Sequence, residues 1–196
     1  MPRKLSHLDS KGRVRMVHVG DKPVTRRTAV ARGRVFMHRR TLALLEAGEH
    51  PKGDAIAAAH LAGVMAAKRT ADLIPLAHPV VLDGVDMAFS PDLETSSIAI
   101  ESRVRTRGRT GVEMEALTAV AVAALTLYDM LKSADRGMVI GEIALWEKRG
   151  GRSGTWTRPR AVPREDAPAP TAPAKRTPPK RAPTRRAAAK RVRRPS

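Results

Sequence analysis

Residues 111–135 read GVEMEALTAVAVAALTLYDMLKSAD. Two carboxylates, Glu113 and Glu115, open this stretch, and a Tyr128-Asp129-x-x-Lys132 set closes it around an apolar middle. An apolar run with no polar face predicts a buried core helix, and charged groups at its ends ask for a separate reason. At 100° per residue, Thr118, Thr126, Asp129, Lys132 and Ser133 fall with Glu115 in an arc about 120° wide. Val122 and Leu125 interrupt that arc, so the polar groups form two clusters. Asp129 and Lys132 are neighbours at i, i+3. They serve either as an ion pair at a helix end, where a cation is favoured, or as an acid/base couple at the rim of a pocket. Spacing alone does not choose between the two.

A second candidate lies in LIPLAHPVVL, where His78 stands between Pro75 and Pro79. Prolines restrict the backbone on both sides and hold the imidazole in place. It reads either as a hydrogen-bonded structural residue or as a ligand contact. His7, His18, His38, His50 and His60 have no metal-ligand spacing among them, so no histidine-built metal site is expected. A third group is basic: Lys22, Arg26, Arg27, Lys52, Lys68, Arg69, Lys148 and Arg152. Several adjoin glycines, as in PKGDA and EKRGGRSG, where backbone amides also face an anion. Neither is a P-loop, because the lysine and hydroxyl residue that follow its glycines are missing. A phosphorylated ligand fits this group.

The charge is unevenly spread. Of a formal +18 over 196 residues, +11 falls in residues 157–196, which also hold 9 of the 15 prolines and no glycine. Such a segment cannot offset its ordering entropy and is expected to be disordered. Residues 1–156 carry all 14 glycines and suffice for one domain with a real core. The absence of cysteine excludes disulfides, thiolate nucleophiles and zinc-thiolate sites. No apolar run free of charge reaches the length of a membrane span, and MPRKLSHLDSKGR has no apolar signal core. A cytoplasmic protein is expected.

The elements that must position these groups follow from periodicity. Thr28–Met37 alternates as a strand, and Arg40–Gly48 has helical spacing ended by glycine. Gly53–Ile74 reads as one long alanine-rich helix capped by Asp54 and stopped by Pro75. Strands at Val80–Phe89 and over SSIAIESRVRTRG flank the turn SPDLETS, a hairpin. The second of these puts Ile98, Ile100 and Val104 on one face and Glu101, Arg103 and Arg105 on the other. The Gly111–Asp135 helix and a strand at Met138–Gly151 complete the order. This predicts an α+β fold, a ferredoxin-like βαββαβ sandwich with one extra short helix, followed by a basic tail.

The segments MVHVGDKPVTRRTAVARG, KGDAIAAAHLAGVMAAKRTADLIPLAHP, TGVEMEALTAVAVAALTLYDMLK, MVIGEIAL and KRGGRSG together resemble the molybdenum cofactor biosynthesis protein C family, the cyclic pyranopterin monophosphate synthases. The likeness runs in order from about residue 5 to residue 155. It implies a ferredoxin-like domain assembled as a homohexamer, a trimer of dimers, with active sites between two chains. It also implies the reaction, in which a 3',8-cyclised dihydro-GTP becomes cyclic pyranopterin monophosphate and pyrophosphate is released. Asp129 and Lys132 correspond to the family's catalytic pair, with Lys132 as general acid/base and Asp129 positioning it. Substrate contacts correspond to Leu76, Ala77, His78, Glu113, Met114 and Glu115. Lys52, Lys148 and Arg26 fall in the family's basic motifs and are assigned to the triphosphate. No cofactor is fixed by the sequence, and magnesium accompanying the triphosphate is left open. Ala77 stands where the family usually has cysteine, so a thiol is not essential here, and His18 stands where it usually has aspartate. The alternative from another class is a nucleic-acid-associated protein, the domain serving as scaffold and the tail binding polyanions without sequence preference. Against it, aromatic residues make up only 3% of the chain and are scattered, a poor stacking platform.

Overall fold

The computed structural model describes residues 12–48 and 52–159. Its elements are β1 (Thr25–Phe36), α1 (Arg39–Ala47), α2 (Ala55–Lys68), α3 (Thr70–Leu73), β2 (Gly84–Asp92), β3 (Ser97–Gly108), α4 (Glu113–Leu131), β4 (Val139–Arg149) and β5 (Trp156–Thr157). One antiparallel sheet has the order β2-β3-β1-β4-β5. Its first four strands and the helices α2 and α4 make the ferredoxin-like arrangement that the sequence predicts, with α1 as the extra short helix. The expected tail lies outside the described residues from residue 160 onward. Its first residues do not: Thr157 pairs with Glu147 as part of β5.

Strand alternation decides which face is covered. Ala29, Ala31 and Val35 of β1 and Ile98, Ile100 and Val104 of β3 are buried in one core with Ala116, Val120, Ala123, Leu127 and Leu131 of α4. Arg32, Glu101 and Arg103 occupy the opposite, helix-free face. There Arg34 bonds Asp92 at 2.7 Å and Ser97 at 2.8 Å and so closes the β2-β3 turn.

Small residues let α2 and α4 approach closely. A Cβ on Gly63 would sit 2.8 Å from Met87 Cε and 3.1 Å from the Ala119 carbonyl oxygen. Asp54 caps α2 by accepting from the Ala57 amide at 2.9 Å, as expected. The helix expected over Gly53–Ile74 is broken, however. Arg69 leaves helical geometry (φ −110°, ψ 15°), and the Thr70 hydroxyl donates to the carbonyls of Ala66 and Ala67. Those bonds satisfy the end of α2 and start α3 as a separate turn. α4 has the length and mean hydropathy (1.5) of a membrane span, but it is half buried against its own sheet and carries Glu113, Glu115 and Asp129. It is the core helix.

A buried carboxylate fixes the chain just beyond α4. Asp135 accepts from the His38 amide at 2.8 Å, the Gly137 amide at 2.9 Å and the Thr41 hydroxyl at 3.3 Å. Burial pushes its carboxyl up, but the two amide bonds outweigh that, and its pKa lies below the usual value. The turn after Lys132 is thereby tied to the start of α1.

Candidate functional site

α2 and α4 run antiparallel, so each end of the pair gathers residues from both helices and their flanking loops. At the amino end of α4, Leu76, Ala77 and His78 meet Glu113, Met114 and Glu115 around a pocket of about 120 Å³ that Val80, Thr110 and Gly111 complete. All six expected substrate contacts converge here. The His78 ring bonds the Val17 carbonyl through Nε2 at 2.8 Å. Because a carbonyl only accepts, Nε2 is the donor in that bond. Glu115 is 4% exposed. Burial raises its pKa, and the nearby Glu113 carboxylate adds to the rise.

The carboxyl end of α4 carries the other cluster. Lys132 Nζ bonds Asp129 Oδ1 at 2.5 Å. Lys52, just before α2, bonds the Asp129 carbonyl at 2.9 Å and lies 3.7 Å from its Oδ2. The bond and charge of Lys132, then the charge of Lys52, lower the Asp129 pKa. Sequence spacing paired Asp129 with Lys132, but the third member is 77 residues distant in the chain. Among the described residues the pair faces outward, the Asp129 and Lys132 side chains being 61% and 51% exposed.

Arg26 and Lys148 belong to neither cluster. They lie where β1 begins and β4 ends, at the sheet end from which β3 leads into α4. Lys148 donates to the Ser153 hydroxyl. The turn between them requires glycine: Gly150 has φ +91°, and a Cβ there would lie 2.2 Å from the Arg26 carbonyl oxygen. Lys22, Arg27, Arg152 and Ser153 line an adjoining cavity of about 280 Å³. The sequence groups Lys22, Arg27 and Arg152 with five other basic residues suited to a phosphorylated ligand; the structure adds that these three line one cavity.

The fourteen residue steps from Glu115 to Asp129 rise about 21 Å along the helix axis. One chain therefore holds a carboxyl-and-imidazole cluster and a carboxylate-and-ammonium cluster a helix length apart, in a fold whose central helix carries both. A small ferredoxin-like protein with ionisable clusters at both ends of one core helix is the class that this geometry defines. Residues 16–151 match the model of the MoaC family. The cyclic pyranopterin monophosphate synthase of Chloroflexus aurantiacus (strain ATCC 29366 / DSM 635 / J-10-fl) is 59% identical over 157 residues, 80% of this chain and 96% of that one. Those of Heliobacterium modesticaldum and Pelotomaculum thermopropionicum are 60% and 58% identical over 154 residues, covering 79% of this chain and 97% and 91% of theirs. The chain belongs to the MoaC family and is an enzyme of molybdenum cofactor biosynthesis.

Proposed function

We propose that this enzyme converts a 3',8-cyclised dihydro-GTP to cyclic pyranopterin monophosphate and pyrophosphate, in active sites each built from two chains. One observation carries the two-chain reading: neither end of α4 is a complete site. The pocket at its amino end, about 120 Å³, is well below the roughly 300 Å³ at which small-molecule sites begin. The pair at its carboxyl end faces solvent, where proton transfers are unshielded. The Glu115 end of one copy against the Asp129 end of another encloses both.

A two-fold axis near Val122, midway between Glu115 and Asp129, generates two such sites at once. The outer face of the helix pair suits that contact. Leu61 and Met65 lie one turn apart on α2 and are 62% and 51% exposed, and Leu125 of α4 is 58% exposed. A second copy of this chain covers them, and three such dimers make the hexamer. We place the enzyme in the cytoplasm.

Within the site, His78, Glu113 and Glu115 hold the ring system and ribose, with Leu76, Ala77 and Met114 as the wall. Lys132 delivers and takes protons, and ionised Asp129 aims its ammonium. Lys52, Lys148 and Arg26 bind the triphosphate and aid departure of pyrophosphate. The nucleic-acid alternative gains nothing from the domain. Trp146 is engaged by Arg32, 4.7 Å from its ring centre, and Phe89 lies beside His60 at 6.4 Å, so these two rings are already taken up within the domain. The test is to supply purified protein with the cyclised dihydro-GTP under single-turnover conditions. Cyclic pyranopterin monophosphate and pyrophosphate in equal amounts are expected; no product would refute the assignment.

A further inference from the structure

The basic tail takes no part in the chemistry above, and its charges are not scattered. Lys175-Arg176, Lys180-Arg181, Arg185-Arg186 and Lys190-Arg191 are four basic pairs, each beginning five residues after the last. The sequence KRTPPKRAPTRRAAAKRVRR is thus a five-residue repeat. Its three other positions hold proline, alanine or threonine until the last unit, which adds Arg193 and Arg194. Residues 175–194 carry ten positive charges, and no acid follows Asp166. Blocks of like charge repel themselves and serve as interaction arms.

The described residues show where this arm is tied. Trp156 and Thr157 pair with Lys148 and Glu147 of β4, and the Arg158 amide donates to the Trp146 carbonyl at 2.8 Å. The chain therefore leaves the domain from the edge strand of the sheet, running back along β4 and away from the glycine turn at residues 150–151. Sixteen residues, 159–174, with five prolines among them, separate that anchor from Lys175. With a spacer that reaches at most about 55 Å, the pairs can engage a partner without Lys52, Lys148 or Arg26, the residues assigned to the triphosphate.

The composition of the arm selects among polyanions. From residue 157 onward there is no aromatic residue and no Leu, Ile or Met. Nothing there enters a lipid layer, fills a pocket on a protein or stacks on an exposed base. What remains is contact with phosphates. Seven of the ten charges are arginine, whose planar fork binds phosphate oxygens two at a time. Five residues span at most about 18 Å, a length over which a duplex presents about ten phosphates, so each pair meets phosphates of its own. We infer that residues 175–194 form a binding arm for duplex nucleic acid, a second function carried by the enzyme and independent of the reaction proposed above. The arm answers to charge density along the duplex and has no means of reading base sequence.

The experiment follows binding of the full-length protein to a short mixed-sequence DNA duplex by fluorescence anisotropy over a series of salt concentrations. Ten engaged charges give a slope of log K against log salt of about −9, and loss of one pair lowers its magnitude by about 2. K175Q/R176Q and R185Q/R186Q are each expected to show that smaller slope and binding at least about tenfold weaker at low salt. The two should behave alike, because the repeat makes the pairs equivalent. With all four pairs changed to glutamine, a slope of about −2 remains for Arg193 and Arg194. The control is R39Q/R40Q, an exposed arginine pair at the start of α1, expected to leave slope and affinity unchanged. A single strand of equal length is expected to bind more weakly, with a slope of about −0.7 per contact. Binding by wild type that ignores salt, equal slopes in wild type and the four-pair variant, or an equal loss in R39Q/R40Q overturns the inference. So does tighter binding to single strands, to polyglutamate or to phosphatidylserine vesicles than to the duplex at equal charge. Turnover is read separately: the four-pair variant is expected to lose duplex binding and keep its rate. Failure of turnover in wild type would sink the proposed reaction and leave the arm.

Discussion

If each active site takes one end of α4 from each of two chains, defects at opposite ends must complement one another. Glu115→Gln removes the ionisable carboxyl of one half while keeping its shape, and Lys132→Ala removes the ammonium of the other. Alone, each variant is expected to fall by about 100-fold or more, the scale of a lost acid/base group. In a statistical mixture half of the dimers carry one chain of each kind. Every such mixed dimer has one site with both defects and one site with none. Recovered activity is therefore about a quarter of wild type by the two-fold arithmetic, some 25-fold above either variant alone.

A site contained in one chain gives a different number. Every chain then carries a defect, and the mixture only averages the two parents at about 1% of wild type. The gap between these outcomes comes from the helix itself, since about 21 Å of axial rise separates Glu115 from Asp129 and the middle of α4 is buried against the sheet. The assay is single-turnover product formation by chains co-expressed with two different tags and purified through both in succession; in a hexamer nearly every assembly is mixed and passes, so the expected value stays at about a quarter. Activity that stays at the parental level in the doubly tagged species, with dimer mass intact, would falsify the two-chain site.

Lys132→Arg keeps the charge beside Asp129 but holds its proton near neutral pH, so turnover should drop as far as in Lys132→Ala, while unfolding midpoints of both variants stay near wild type because the pair is exposed. Turnover of the arginine variant close to wild type would show that charge alone is needed there. Asp135→Asn strips a charged acceptor from the His38 and Gly137 amides and should cost about 2 to 3 kcal/mol in denaturant unfolding at pH 7. Because the Asp135 pKa is lowered by folding, that deficit is full above the unfolded carboxylate value of about 3.9 and shrinks as pH falls through the lower folded value; a deficit independent of pH would remove the ionised carboxylate from the explanation. Gly63→Val forces a branched side chain against Met87 and the Ala119 carbonyl, and a loss of about 1 to 3 kcal/mol is expected from overpacking, with unchanged stability showing that the helices part freely.

Much of this molecule is written locally and so was legible. The alternation of Ile98, Ile100 and Val104 set the buried face of β3, and Asp54 announced the start of α2 three residues before the amide that it caps. The interruption of the polar arc by Val122 and Leu125 separated the two clusters of α4, and the structure places them at opposite ends of the helix. What was not legible depends on partners distant in sequence. Asp135 looks like any polar residue past a helix until its bond to the His38 amide, 97 residues away, is seen. The break at Arg69 was hidden because the alanine-rich sequence before it favours helix and only the Thr70 hydroxyl disfavours continuation. Arg107 sits in an alternating run that marks it as surface, and only the register of β3 on β1 sets it opposite Arg26.

The pKa directions give the separation of the clusters a chemical meaning. Glu115 is pushed up by burial and by Glu113, so it holds a proton more tightly than a free carboxyl does. Asp129 is pulled down by Lys132 and Lys52, so it gives up its proton more readily than a free carboxyl does. Two carboxyls whose environments drive them apart are the usual material of an acid/base assignment, yet within one chain they stand at opposite ends of the same helix. If they faced each other in one chain, their charges would couple and one would answer to the other. Carrying them on opposite ends lets each environment be set by its own subunit, Glu115 by burial at the start of α4 and Asp129 by lysines at its close. In the proposed assembly, contact between two chains supplies what neither end has alone, a shared space closed to water, and a chain that folds correctly but does not associate should turn over nothing.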